Sequence, residues 1–456
     1  MSLSKFESML KTNSVYFFDS VEFEEIIQHY LDNGKHSLAE KALKLGLAQH
    51  PDSIVLKLLK IELLIFADEL QKATVMLTEL EAIEPNNEEV FIQKGTIFSK
   101  KNKHEQAIET FKKALPFTDE PADVWSMIGM EYLYLDDFEN ARLNFANCID
   151  VDFEDYSSLY NVIYCFDMEN NHEEAIKYLL NYIEISPYCE VAWHQLGRQY
   201  FVLNNFKEAL RAFDYAVLID ESFIGGYLEK AKTLEELEQY EEAIQNYLIT
   251  LELDDPTAFV YVRVGECYQK LGILDTAVKY FKKAVHEDPL LDKAWVLLTN
   301  LYIDSENYQK ALYYINKALQ IDENNTLYWR RYAEINLKLN FFEETVKAFQ
   351  QCIDLNDNSL EVYVGLADVL LFLGEFNDAL KIIIKAKNFH KEVAEVEYRL
   401  CGLFMLDNKE TYSLLHLKNG LAIDTEYREI VKELFPTVFE NELVQKVISN
   451  YLKATE

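Results

Sequence analysis

The sequence predicts an all-α protein built as one row of antiparallel helix pairs, each pair leaning on the next. Three observations point there. The 456 residues include only 8 Pro and 13 Gly, which favours long runs of helix. The four Trp, at positions 125, 193, 295 and 329, are separated by multiples of 34 residues. When a 34-residue unit is numbered so that each Trp is position 4, twelve copies run from Ser20 to Tyr427 without a gap, and their apolar columns align. A fixed period of this length marks a repeat architecture.

The elements follow in chain order. In segment 1–19, Ser4 to Lys11 predicts a short helix with Phe6, Met9 and Leu10 inward. Asp19 then caps the first repeat helix, with Glu22 three residues on to close a capping box. Within each unit, positions 4, 7, 8 and 11 carry apolar or small residues at helical spacing. Position 15 reads Gly34, Asp68, Asn102, Asp136, Asn170, Asn204, Glu238, Gly272, Glu306, Asn340, Gly374 and Asn408. Gly and Asn tolerate the left-handed conformation that ends a helix, so eight of the twelve copies carry a stop signal there.

A second apolar stripe opens at position 20, which is Ala in ten of twelve copies, and continues at 24 and 27. Position 24 is a large apolar residue throughout, from Leu43 to Leu417. Pro51, Pro85, Pro187 and Pro289, all at position 32, end the second helix. The tenth copy departs at Asn336 and Thr345, and the twelfth at Glu397, Cys401 and Ser413. Beyond the repeats, segment 428–456 predicts a helix from Arg428 to Phe435, stopped by Pro436. A second helix is expected from Thr437 to Leu452, with Val438, Leu443, Val447 and Tyr451 on one side. The segment reads either as a solvating cap or as an internal ligand folded into the array. A pair of roughly 14-residue helices is marginal alone in water, so the units must stack to bury their stripes.

The pattern resembles the tetratricopeptide repeat family. Trp193, Leu196, Gly197, Tyr200, Ala209 and Phe213 match its signature, as do Trp125, Ile128, Gly129, Tyr132, Ala141 and Phe145. The resemblance implies a right-handed superhelical solenoid. First helices would line its concave side, and positions 2, 5, 6, 9, 12 and 13 would approach that groove.

The chemistry of the chain points away from catalysis. There is no H-E-x-x-H, no phosphate-binding glycine loop and no G-x-S-x-G. The six Cys form no C-x-x-C pair, and Cys148, Cys352 and Cys401 take small slots of the repeat, as buried hydrophobes do. No cofactor or metal is expected. The formal charge of −34 argues against nucleic acid or an anionic membrane as a partner. No stretch of about 18 apolar residues is present, the N-terminus lacks a secretion signal, and a cytoplasmic home is expected.

Two groups of groove residues stand out under the resemblance. The fourth and fifth copies offer Met127, Met130, Tyr134, Tyr160, Asn161, Tyr164 and Met168, an adaptable surface for a peptide or else inter-repeat packing. The sixth to tenth copies place His194, Arg198, Lys232, Arg263, Lys270, Lys293, Asn300, Arg330, Arg331 and Lys338 along the same face. Their acidic companions there are Glu229, Glu235, Glu236, Glu266, Asp304 and Glu334, fewer than the cations. That balance predicts either a positive cleft for acidic groups or a C-terminal carboxylate, or ion pairs between neighbouring helices. The five-residue carboxylate clamp known in the family is not expected, because only Lys293 and Arg331 match slots of it. The expected function is a non-catalytic scaffold that binds a peptide or partner helix in its groove. An assembly subunit or co-chaperone-like adaptor using its convex face or ends is the alternative, followed by an enzyme with an unrecognised site.

Overall fold

The computed structural model describes residues 2–12, 16–254 and 257–455. The chain divides into two compact units, Met1–Thr233 and Leu234–Glu456. Unit 1 opens with α1 (Ser2–Thr12), followed by α2 (Ser20–Asp32) and α3 (His36–Gln49), then α4 (Ile54–Phe66) and α5 (Leu70–Ile83). It continues through α6 (Glu88–Lys100), α7 (His104–Ala114), α8 (Pro121–Tyr134), α9 (Phe138–Val151) and α10 (Tyr156–Met168). Its last full helices are α11 (His172–Ile185), α12 (Glu190–Val202) and α13 (Phe206–Ile219). The division falls inside α14 (Ile224–Glu236).

Unit 2 holds α15 (Tyr240–Leu253), α16 (Ala258–Lys270), α17 (Leu274–Glu287), α18 (Asp292–Asp304) and α19 (Tyr308–Ile321). Then come α20 (Thr326–Lys338), α21 (Phe342–Asp354), α22 (Leu360–Phe372), α23 (Phe376–Phe389), α24 (Ala394–Leu406) and α25 (Glu410–Ile423). A 3-10 turn at Glu426–Arg428 leads to α26 (Glu429–Leu434), α27 (Pro436–Phe439) and α28 (Glu442–Thr455). No strand occurs among the described residues. Within each unit the helices pack on their neighbours in sequence, from α1 to α13 in unit 1 and from α15 to α25 in unit 2. Even-numbered helices from α2 to α24 are the first helices of the repeats, and odd-numbered ones the second.

The turn inside each pair is one device used twelve times. Position 15 has positive φ in every copy, between 52° and 81°, including Asp68, Asp136, Glu238 and Glu306, where the sequence carried no stop signal. The following amide reaches back to the carbonyl five residues earlier, as Lys35 N does to Tyr30 O at 2.8 Å and Asn205 N to Tyr200 O at 2.9 Å. This is the Schellman arrangement, which satisfies the last helical carbonyls. Because the hydrogen bonds fix the backbone, side chains other than Gly and Asn are held there.

Close approach within each pair is set by positions 8 and 24. Where position 24 is Phe111, Phe145, Phe213 or Phe281, position 8 is glycine, and each ring lies on that bare backbone. Elsewhere the volumes are traded: Ile163 faces a repeat with Leu179, and both are buried. All ten Ala of position 20 are fully buried. The two exceptions fit because their hydroxyls find partners: Thr345 donates to Phe341 O at 3.0 Å and Ser413 to Cys401 O at 2.8 Å. Buried Asn336 likewise donates to Tyr332 O at 2.8 Å. Three of the four Trp tie a first helix to the preceding turn, Trp193 Nε1 donating to Pro187 O and Trp295 Nε1 to Pro289 O, both at 2.9 Å, and Trp329 Nε1 to Glu323 O at 2.7 Å.

The irregular twelfth pair is a helix pair like the others. Its buried Glu397 is ion-paired with Lys387 and accepts from His416 at 2.6 Å. At the start of the chain, α1 forms and buries Phe6 and Met9, and Asp19 with Glu22 closes the capping box. Leu10, expected inward, is exposed: the stripe of this short helix is only wide enough for Phe6 and Met9. At the other end α26 ends before Pro436, as expected, and Pro436 then starts α27, since proline fits the first helical position. The helix expected from Thr437 is therefore broken, and it resumes at Glu442, two residues before buried Val444. Val444 and Ile448 face inward while Leu443 is exposed. α26 packs on α24 and α28 on α25, so the segment prolongs the core of the last pair.

Candidate functional site

The repeat places positions 2, 5, 6, 9, 12 and 13 on one face of each first helix, away from the second-helix partner. In unit 1 that face carries an apolar ledge. Met130, Tyr134, Tyr160, Tyr164 and Met168, on α8 and α10, are between 37% and 60% exposed. Met127 and Asn161 are half-buried beside them. The tyrosines and methionines read as packing or surface in the sequence thus point outward.

His194 lies further along, on α12. Its ring sits edge-on to Phe223, with centroids 5.1 Å apart, and near Phe213 at 5.8 Å. Both ring nitrogens are buried without a hydrogen-bond partner. Burial, aided by the Arg198 charge, pulls its pKa down to about 4, so the ring is neutral. Arg198 is exposed and donates to Gln195 Oε1 at 3.2 Å. Lys232 pairs with Glu229 on its own helix at 2.7 Å.

In unit 2 the cations of the face are engaged by acids. Arg263 contacts Glu235 at 2.7 Å and Glu266 at 3.0 Å, Lys293 reaches Glu266 at 2.7 Å, and Tyr247 donates to Glu235 at 2.5 Å. Arg330 makes a two-pronged contact with Asp357, Nε to Oδ2 at 2.6 Å and Nη2 to Oδ1 at 2.7 Å. Arg331 pairs with Glu334 at 2.8 Å. Asn300 is half-buried, and its Oδ1 has no partner. Arg198, Lys270 and Lys338 form no ion pair among the described residues. Of the two readings of the basic stretch, the geometry favours interhelical ion pairs. Counting charges by column missed this because Asp357 lies on the turn before α22 rather than on a first helix.

One feature of the face escaped the sequence reading. A cleft of about 660 Å³ opens between α4, α6 and the start of α8, lined by Glu62, Glu88, Glu89, Gln93, Asp123 and Met127 among others. Glu62, Glu89 and Asp123 occupy groove positions 9, 2 and 2, so part of the signal was in the columns, but a chain with 78 Asp and Glu hides it. The six thiols are buried and free. Burial pushes Cys165 and Cys401 up to about 11 and Cys267 and Cys352 up to about 12, which keeps them protonated and unreactive.

Comparison with known proteins decides the family. Models described as tetratricopeptide repeat match residues 88–115, 122–155, 228–292 and 292–325. The chain carries tetratricopeptide repeats over these residues. It is similar to the human protein O-mannosyl-transferase TMTC3, 23% identical over 65% of this chain and 31% of that protein. It is also similar to anaphase-promoting complex subunit 3 of Schizosaccharomyces pombe, 20% identical over 66% of this chain and 46% of that one. This tetratricopeptide-repeat chain therefore spans about a third to a half of the length of these curated relatives. Among solved structures, the C-terminal part of a TPR repeat-containing protein from Cytophaga hutchinsonii aligns with a TM-score of 0.45 at 13% identity, covering 56% of this chain and 99% of that one. No helix among the described residues is long and apolar enough to cross a membrane.

Proposed function

We propose that the chain is a non-catalytic protein-interaction scaffold of the cytoplasm. It grips an extended peptide segment or helix of a partner along the first-helix face of unit 1. The observation that carries this reading is the ledge of Met130, Tyr134, Tyr160, Tyr164 and Met168, exposed together on two consecutive first helices. Single exposed apolar residues are ordinary, but a contiguous group on one face is the mark of an interaction surface. Methionine adapts its shape to a ligand, and tyrosine adds a rigid ring with a polar tip. One relative lends support of a general kind: the fission-yeast protein is named as a subunit of a complex, whereas the transferase activity in the human protein's name belongs to a chain of which this one spans 31%. Arg263, Lys293, Arg330 and Arg331 of unit 2 serve the array itself in this reading, since their charges are spent on neighbouring acids.

The test is a peptide selection. Nonapeptides enriched from a random phage library on the immobilised full chain are measured by fluorescence anisotropy. Tyr160→Ala with Tyr164→Ala is expected to weaken them at least tenfold, and Tyr215→Ala with Leu218→Ala, on exposed second-helix positions, to leave them unchanged. The reverse pattern would assign binding to the second-helix surface and reject the groove.

A further inference from the structure

The acidic cleft of unit 1 has features that a solvated acidic surface lacks. It gathers six carboxylates, from Glu62, Glu88, Glu89, Asp119, Glu120 and Asp123, within about 660 Å³. Among the described residues none of them is ion-paired. Lys94 of α6 is turned to Glu81 of α5 at 2.7 Å. Helix fields account for part of the cluster, since Glu88 and Glu89 lie in the first turn of α6 and Asp123 in the first turn of α8. They do not account for Glu62, which lies well beyond the first turn of α4. Burial and the neighbouring Glu89 raise the Glu62 pKa, and burial raises that of Glu89 in turn. These groups are held together against their own electrostatic preference.

The second observation is Gln93. It lines the same cleft, is 5% exposed, and its Oε1 is buried with no hydrogen-bond partner. Its amide cannot be turned to relieve this. Nε2 donates to Leu58 O at 3.1 Å and to Glu89 Oε1 at 2.9 Å, and exchanging the two ends would set an oxygen against both acceptors. A buried acceptor left open is unfavourable, because it has given up its water without gaining a donor. Glu88 Oε2 is a second buried acceptor without a partner. Two buried acceptors without a partner thus stand among the unpaired carboxylates of the cleft, and what the site lacks is a cationic hydrogen-bond donor.

We propose that this cleft is the docking site for a lysine or arginine side chain of the partner's extended segment, with Gln93 Oε1 and Glu88 taking its donors and Glu62, Glu89 and Asp123 its charge. The proposal rests on the reading of the first-helix face as peptide-binding and gives that peptide a chemistry. Met127 lines the cleft, and Met130 on the same helix belongs to the ledge, so one segment spans both. An organic cation suits the site better than a metal ion, because among the described residues no three acids are grouped as a metal would require. A planar guanidinium, with five donors, satisfies several separated acceptors at once. The chain's overall charge of −34 would steer such a partner toward it.

The experiment uses the full chain and the same random nonapeptide library. Selection on wild type is expected to enrich arginine or lysine at one position. Replacing that residue by citrulline, or by norleucine where it is lysine, should weaken binding at least tenfold. The triple variant Glu62→Gln, Glu89→Gln, Asp123→Asn keeps the side-chain shapes, and circular dichroism checks its helix content. It should lose the enrichment while still binding the citrulline or norleucine peptide as wild type does. Calcium chloride should compete no better than sodium chloride of equal ionic strength. A library without basic enrichment, an uncharged replacement that binds equally well, an unchanged preference in the triple variant, or competition by calcium alone each overturns the proposal. If basic residues are absent but binding still depends on Tyr160 and Tyr164, the groove stands and the cleft falls. If the acids matter and the tyrosines do not, the cleft stands and the ledge falls.

Discussion

Gly197→Ala probes the rule that sets the spacing of the helix pairs. A Cβ added at Gly197 would lie 2.5 Å from Phe213 Cε1, 2.7 Å from Cδ1 and 2.8 Å from Cζ. Ordinary carbon contacts begin near 3.5 Å, so the ring must move by roughly 1 Å. Phe213 cannot retreat freely, since it is fully buried with Ala209 and Ala216 beside it on α13, also fully buried. Overpacking of this kind is destabilising by about 1–3 kcal/mol. Alanine recovers up to about 1 kcal/mol of helix propensity. The expected net loss is about 1–2 kcal/mol. Phe213→Leu alone leaves a cavity and loses about 1–2 kcal/mol, less than the range for complete truncation of a ring. Together the two changes recreate the trade already present at Ile163 and Leu179, so the double variant should be more stable than the sum by about 1 kcal/mol or more. Long arrays do not unfold in one step, so urea titration is paired with hydrogen exchange read on peptides covering 190–219. Additivity within about 0.5 kcal/mol, or a Gly197→Ala protein more stable than wild type, would refute the reasoning.

Other outcomes follow from the same structure. Because the folded state raises the Glu89 pKa, it binds more protons than the unfolded chain between the two values, and stability rises as pH falls through that window. Glu89→Gln should therefore raise the urea midpoint at pH 7.5, by a gain of about 0.5–2 kcal/mol that shrinks on acidification. His194 works in the opposite direction. With its pKa held down to about 4, the folded state binds fewer protons between about 6.5 and 4, so stability falls as pH is lowered through that range. His194→Phe should flatten that part of the profile in urea titrations at several pH values. Arg330→Ala leaves Asp357 as a buried, unpaired carboxylate and should destabilise unit 2 by about 3–5 kcal/mol, while peptide affinity at unit 1 stays unchanged.

Much of this architecture was legible from columns of residues. A period of 34, an alanine at position 20 in ten copies and a glycine at position 8 facing four of the five phenylalanines of position 24 are demands of close helix packing, and packing repeats with the unit. The turn was legible only where Gly or Asn occupied it, because Glu238 and Glu306 take left-handed φ under the force of the hydrogen bonds around them, not from their own preference. The candidate site was less legible. Columns identify which side chains share a face, yet not what each one touches. For Arg330 the columns left a free cation and an ion pair both open, and they did not name Asp357, on a turn 27 residues on, which holds it. The acidic cleft was hidden for the opposite reason: its carboxylates are ordinary in this composition, and only the empty acceptor of Gln93 sets them apart.

The central claim, that the first-helix face of unit 1 binds a peptide, is tested most directly by methionine methyl spectra. Met127, Met130 and Met168 lie on or beside the ledge, whereas Met9, Met76 and Met405 lie in α1, α5 and α24. Titrating a selected peptide into the ¹³C-methyl-labelled full chain should shift the first three resonances, saturating together, and leave the other three in place. Shifts confined to Met9, Met76 or Met405, with the ledge signals unmoved at saturation, would contradict it.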